Sequence, residues 1–216
     1  MTGTAELLTP TEAAVVSRVA LRDVNRAIDE NILPRDFFHV GEGRSVRAVG
    51  CSLISFYFAA AHRLTSAERL WAIKEAAPRL LKITGWSSSI LKEDWTVRNE
   101  FLTIDLAPFL RGVAERLGRL AAARKMVVAS PEVLGGAPVI RGARVPVYDV
   151  AASAAAGISM DRILAAYPSI DAEQVELAQL YAEANPPRGR PRREAPLSER
   201  PRIVSSRRVA RRRKAG

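Results

Sequence analysis

The stretch from Leu8 to Ala48, LTPTEAAVVSRVALRDVNRAIDENILPRDFFHVGEGRSVRA, decides the fold of the N-terminal part of the chain. Thr9-Pro10-Thr11-Glu12 has the residues of a helix start. Thr9 supplies a cap oxygen, Pro10 sits where a missing N–H costs nothing, and Glu12 can reach back to close a capping box. The short helix that follows should break near Ser17. Leu21, Val24 and Ile28 then recur on one stripe at helical spacing, which leaves Arg18, Arg22, Asn25, Arg26 and Asp29 on the remaining surface. This second helix should stop before Pro34. Phe38 and Val40, then Gly41-Glu42-Gly43, then Val46 and Ala48 read as two short alternating strands around a glycine turn. Helix, helix and hairpin in that order predict a winged helix-turn-helix-like domain over residues 1–65.

The charge is unevenly spread. The 216 residues hold 33 Lys and Arg against 23 Asp and Glu, a formal net charge of +10, which suggests a polyanionic partner until the charge is located. From Pro186 to Gly216 there are eleven Arg, one Lys (Lys214) and two acids (Glu194, Glu199), so this segment carries the whole excess. The body before it has 21 basic and 21 acidic residues and is neutral. One cysteine, Cys51, cannot form an internal disulfide, and His39 and His62 lie in separate segments, which leaves no ligand set for a structural zinc. The N-terminus lacks the basic and apolar regions of a secretory signal. The most apolar stretch, Leu53 to Ala61, is well short of the roughly 20 residues a membrane helix needs. A cytoplasmic protein with no membrane association and no cofactor is expected.

The middle, residues 66–125, reads as an α+β connecting or dimerisation segment. Ser66 is expected to cap a helix that carries Leu70, Trp71, Ile73 and Ala77 into a kink at Pro78, and Ser87-Ser88-Ser89 to mark a loop. Trp95-Thr96-Val97 and Phe101 to Leu106 look like paired strands with a turn at Asn99. Asp105 and Pro108 then announce a helix with Phe109, Val113, Leu117 and Leu120 on one strip, opposite Arg111, Glu115, Arg119 and Arg124. A new unit is expected over 126–186. Met126-Val127-Val128 is strand-like, Gly135-Gly136 reads as a tight hairpin turn, and Arg141-Gly142 is a further turn signal. Three short helices follow: Val147 to Ala156, ended by Gly157; one capped by Ser159; and one capped by Asp171 with Gln174. Beyond Asn185-Pro186-Pro187, few large apolar groups are left to offset an ordering cost of about 1–2 kcal/mol per residue, so a disordered basic tail is expected over 187–216. The fold class is therefore mainly α with short β-hairpins: two small helix-turn-helix-like domains, an α+β middle segment and a tail.

No phosphate-cradling loop, zinc-protease helix or nucleophile elbow is present, and the chain does not read as an enzyme. His39 lies in the expected wing beside Phe38 and His62 ends an apolar stretch without obvious carboxylate partners, so both read as structural, and Cys51 reads as a small buried side chain. Nucleic-acid binding has better geometry. Arg22, Asn25 and Arg26 are candidates for base edges, Arg18 lies beside them, and Arg44 and Arg47 are candidates for backbone contacts from the wing. The alternative is that these are solvated surface residues paired with Asp23, Asp29 and Glu30. A neutral body implies modest affinity per protomer, so a homodimer or larger assembly is expected. The tail has three readings: a salt-sensitive phosphate clamp, a segment that docks into an acidic protein cleft, or a solubilising extension. Leu197, Ile203, Val204 and Val209 favour the second, because apolar anchors suit a protein groove.

The run Ser130-Pro131-Glu132-Val133-Leu134-Gly135-Gly136-Ala137-Pro138-Val139-Ile140-Arg141-Gly142-Ala143-Arg144-Val145-Pro146-Val147, with Gly157-Ile158-Ser159 and Tyr167-Pro168 after it, resembles a small bacterial helix-turn-helix-like domain of unknown function. The shared signature is Gly-Gly-x-Pro-x-Ile-x-Gly-x-Arg-Val-Pro-Val, in which Gly135, Gly136, Pro138, Gly142, Arg144 and Pro146 are structural. Leu8-Thr9-Pro10-Thr11-Glu12-Ala13-Ala14 is similar to the opening of MerR and excisionase helix-turn-helix domains. The whole looks like a VapB-type antitoxin of a type II toxin-antitoxin module. That resemblance implies a cognate PIN-like ribonuclease toxin, whose Mg²⁺-holding carboxylates the tail would cover, and operator DNA as a second partner. Arg188, Arg190, Arg192, Arg193, Leu197, Arg200, Arg202, Ile203, Arg207 and Arg208 are the implied toxin contacts. The runner-up is a stand-alone transcription regulator or recombination accessory factor that uses the tail as a nonspecific DNA clamp.

Overall fold

The computed structural model describes residues 6–83 and 85–187. β1 (Leu7–Leu8) leads into α1 (Pro10–Ser17) and α2 (Leu21–Asp29). The capping box forms as expected: Glu12 N–H donates to Thr9 Oγ1 at 3.3 Å, and Thr9 N–H donates to Glu12 Oε2 at 2.9 Å. Arg18, at φ 55°, ends α1 in the left-handed region and donates its N–H back to the carbonyls of Ala14 and Val15. A 3-10 turn (Arg35–Phe37) precedes β2 (Phe38–Val40) and β3 (Arg44–Arg47), the wing. Val46 lies opposite Phe38 on one side and Leu8 on the other, so the sheet order is β1-β3-β2, all antiparallel. β1 has only two residues, too few for alternation to show in sequence.

α3 (Gly50–Ala59) is the apolar run seen in sequence and lies at the centre, with Cys51, Leu53, Ile54 and Phe56 buried. α4 (Ser66–Leu80) is capped by Thr65, not by the expected Ser66. The reason is the N3 position: Thr65 has Glu68 there, whose carboxylate accepts from Thr65 N–H at 2.7 Å, whereas Ser66 would have Arg69. Pro78, where a kink is expected, lies inside the helix. It lies in the final turn, where it deprives only one carbonyl of a partner, and α4 continues to Leu80. Ser87 begins a helix instead of a loop, its hydroxyl accepting from Ile90 N–H at 3.4 Å at the start of α5 (Ser88–Lys92). β4 (Thr96–Arg98) and β5 (Thr103–Asp105) pair antiparallel, and α6 (Ala107–Met126) follows. The turn between those strands is held by Asn99 Oδ1, which accepts from the N–H groups of Phe101 and Leu102.

β6 (Val127–Val128) pairs with β7 (Val139–Ile140), and α7 (Val147–Ala155), α8 (Met160–Ala166) and α9 (Ala172–Ala184) complete the order. Gly135-Gly136 is not a tight hairpin turn. It lies in a 3-10 turn (Leu134–Gly136) within the ten-residue link between β6 and β7. The tight turn is at Ile140 to Val145, where Ala143 N–H donates to the Ile140 carbonyl at 3.1 Å and Ile140 N–H to the Val145 carbonyl at 2.8 Å. Gly142 sits at its third position with φ 81°, which a side chain would oppose. The capping box of Asp171 and Gln174 forms.

The molecule is mainly helical with small antiparallel sheets of two or three strands. One hydrophobic core runs from Leu8 to Leu120 and takes in Ala184; a second joins Ile140, Val147, Val150, Ile163, Val175 and Ala178. The expected boundary at residue 65 therefore falls inside a single core, and that at 125 falls in the last turn of α6. α9 packs on α7, α6 and α1, so it belongs to both cores. The segment ending at Pro186 forms one compact unit. Among the described residues, no helix is long and apolar enough to cross a membrane.

Candidate nucleic-acid interface

α2 buries Val24, Ala27 and Ile28 against the core, which turns Arg22, Asn25, Arg26 and Asp29 outward. The sequence groups these residues, and the fold brings the wing to them. From β3, Arg44 Nη1 donates to Asn25 Oδ1 at 3.2 Å, and Arg44 Nη2 lies 2.8 Å from Asp29 Oδ1. The wing is thereby tied to α2 by one guanidinium, and one lone pair of the Asn25 amide oxygen is already in use. On the same helix, Arg26 Nε donates to both Glu30 carboxylate oxygens at 3.0 Å. Arg22 approaches Asp23 only to 3.9 Å, and its side chain is 88% exposed. The face thus offers Arg22 and the outer nitrogens of Arg26 to an incoming acceptor, while Asp29 and Glu30 screen the rest. Apart from the half-buried Arg44–Asn25 bond these pairs are exposed, so each ion pair is worth at most about 1 kcal/mol and can be exchanged for phosphate contacts.

Arg18 is exposed on the turn between α1 and α2. Arg47 does not join Arg44. The two are three residues apart on β3, hence on opposite faces, and Arg47 Nε is buried without a hydrogen-bond partner among the described residues. Beneath the turn lies a residue the sequence did not single out: Arg116 of α6, whose Nε donates to the Val16 carbonyl. Burial, aided by the nearby Arg18 charge, holds its pKa below the ordinary guanidinium value. No local signal could have found it, because the contact joins segments a hundred positions apart. Arg124, expected on a solvent face, instead reaches Glu12 and Glu6 at 2.8 Å each. Burial opposes its charge, but the two carboxylates outweigh that and raise its pKa.

The second helix-turn-helix-like unit has a different surface. α9 has no basic residue, its exposed charged side chains are Glu173, Glu176 and Glu183, and Glu176 pairs with Arg119 of α6 at 2.6 Å. Packed on three helices and edged with glutamates, α9 is poorly suited to a phosphate-lined groove. Arg141 and Arg144 are exposed on the turn before α7, and Arg144 takes φ 54°. Pro138 accepts from Val147 N–H at 3.0 Å and Pro146 sits at the cap position of α7, so the signature residues build the turn that starts this helix. Gly135 and Gly136 take positive φ in the link. His39 and His62 are exposed, and among the described residues no group of three or more His, Cys, Asp or Glu could hold a metal ion. The expected toxin contacts, Arg188 to Arg208, lie outside the described residues.

Residues 127–182 match the family described as a protein of unknown function (DUF433). Over its full length, the chain is 62% identical to the uncharacterized protein y4eO of Sinorhizobium fredii (strain NBRC 101917 / NGR234), with 100% of this chain and 98% of that protein covered. The chain belongs to the family of that protein. It is also similar to the crystal structure of Rv2018 from Mycobacterium tuberculosis, at 17% identity and a TM-score of 0.33, covering 79% of this chain and 95% of that one.

Proposed function

We propose that the chain is the VapB-type antitoxin of a type II toxin-antitoxin module. In this reading residues 187–216 bind and inhibit a cognate PIN-like ribonuclease, and α2 with the wing binds operator DNA in the cytoplasm, as a homodimer or a larger complex with the toxin. The observation that carries the reading is the division of charge. The body ending at Asn185 is neutral, and the whole +10 follows the DUF433 unit. Arginines placed among metal-holding carboxylates compete with the ion, and charge-assisted hydrogen bonds of about 1.5–3 kcal/mol each give inhibition without a catalytic residue.

The test is co-expression with the neighbouring open reading frame. The full chain should rescue growth and co-purify with the product, and a chain cut after Asn185 should do neither. Rescue by the cut chain would overturn tail inhibition. Arg22→Ala with Arg26→Ala should abolish operator mobility shifts while leaving toxin binding intact. The exposed α2 face favours one second reading, a stand-alone DNA-binding regulator. In that case the cut chain would lose DNA affinity with a flatter salt dependence and no toxin would be found.

A further inference from the structure

We propose that the cleft where the turn between α1 and α2 meets α3 and α6 is a binding site for a small organic anion with an apolar body. The cleft measures about 540 Å³, within the range of small-molecule sites. Two arginines line it, Arg18 from the turn and Arg116 from α6, and, beside the larger effect of burial, their charges are close enough for Arg18 to lower the Arg116 pKa. Among the described residues neither forms an ion pair with a carboxylate. The one carboxylate of the lining, Asp23, lies nearest to Arg22 outside it. Two like charges gathered in one concavity repel each other, and an anion between them removes that cost.

The remaining lining has the complementary character. Phe58 and Phe109 present aromatic surface, which suits the apolar part of a ligand. Gly112 also lines the cleft, and a Cβ there would lie 3.0 Å from Arg116 Nη1, the far end of a flexible side chain. α2 starts at the same rim with Ala20 as its cap residue, so no side-chain oxygen satisfies its first N–H groups. The positive end of the helix faces the same rim, where the Asp23 carboxylate of its first turn offsets part of its field. A carboxylate or phosphate monoester would place its head between Arg18 and Arg116 and its body on the aromatic rings. The site does not depend on the antitoxin reading, and its test uses neither toxin nor DNA.

Benzoate, phenyl phosphate and uncharged benzamide are titrated into the full chain, with binding read by calorimetry and by the shift in melting temperature. At least one of the two anions should bind saturably, with benzamide about ten-fold weaker or more, and their relative affinities decide between a carboxylate and a phosphate head. Arg18→Asn keeps a residue that tolerates the left-handed turn, and Arg116→Met keeps the stem. Both should weaken the anion about ten-fold, while Arg111→Ala, on the outer face of α6, should not. An unchanged melting temperature without ligand for Arg18→Asn shows that its loss of binding is not unfolding. Equal binding of benzamide, equal loss in Arg111→Ala, or no saturable binding of either anion at millimolar concentration would overturn the proposal.

Discussion

Cys51, in the first turn of α3, has no surface exposed, and burial pushes its thiol pKa up to about 12, against the smaller opposing effects of the Ser17 hydroxyl and Arg116. The neutral thiol is the form the fold accepts. Below the unfolded value near 9, thiol ionisation does not reduce stability; as pH rises from there toward about 12, the unfolded chain releases its proton more readily and stability falls. Denaturant midpoints measured across that window should fall in the native protein and fall less in Cys51→Ala. At neutral pH a thiol-specific reagent should label Cys51 only after denaturant is added; fast labelling of the native chain would contradict this burial. A small apolar-like side chain beside an apolar run is what the sequence says of Cys51. Its neighbours Ser17 and Arg116 are not legible there, because nothing local records which distant side chain faces a buried position.

At the scale of the element, α1 is set by one carboxylate with two duties. Glu12 closes the capping box on Thr9 and, at 6% exposure, receives Arg124 Nη2 at 2.8 Å. Thr9→Ala removes only the cap oxygen and should cost about 1 kcal/mol. Glu12→Ala removes the reciprocal bond and leaves a half-buried guanidinium with Glu6 alone, and should cost about 2 kcal/mol or more in urea unfolding. An equal cost for the two would mean that Arg124 contributes nothing. The cap itself is readable, as is the one at Asp171, because both partners lie within one turn. Thr65 is missed for Ser66 because two adjacent hydroxyl residues compete and only the side chain three positions on decides. Within the candidate interface, the outward face of α2 was legible from its apolar stripe. The opposite faces of Arg44 and Arg47 follow from alternation once β3 is known, but the Arg44 bridge to Asn25 and Asp29 requires the hairpin to fold over the helix.

For the whole molecule, the order of elements is readable and the partition into domains is not. A helical stripe reports that a face is apolar; it does not say what covers it. The strip on α6 is covered by the first core, and α9 closes over α6 and α1 while anchoring the second. A chain ended after Met126 should therefore not behave as an independent domain, since it lacks α9 and uncovers the faces of α1 and α6 that α9 covers. It should show a lower urea midpoint than the full chain and greater dye binding to exposed apolar surface. Unfolding of the full chain that resolves into two transitions, the first leaving an intact N-terminal core, would show that the cores are separable.

α9 has one further consequence, a mechanical one. Asn185, just after the helix, has a carbonyl that accepts from Tyr148 Oη at 2.7 Å and an Nδ2 that donates to the Tyr181 carbonyl at 3.1 Å. Asn185 thus fixes the C-terminal end of α9, which packs on α1, α6 and α7, so one residue braces a helix shared by both cores.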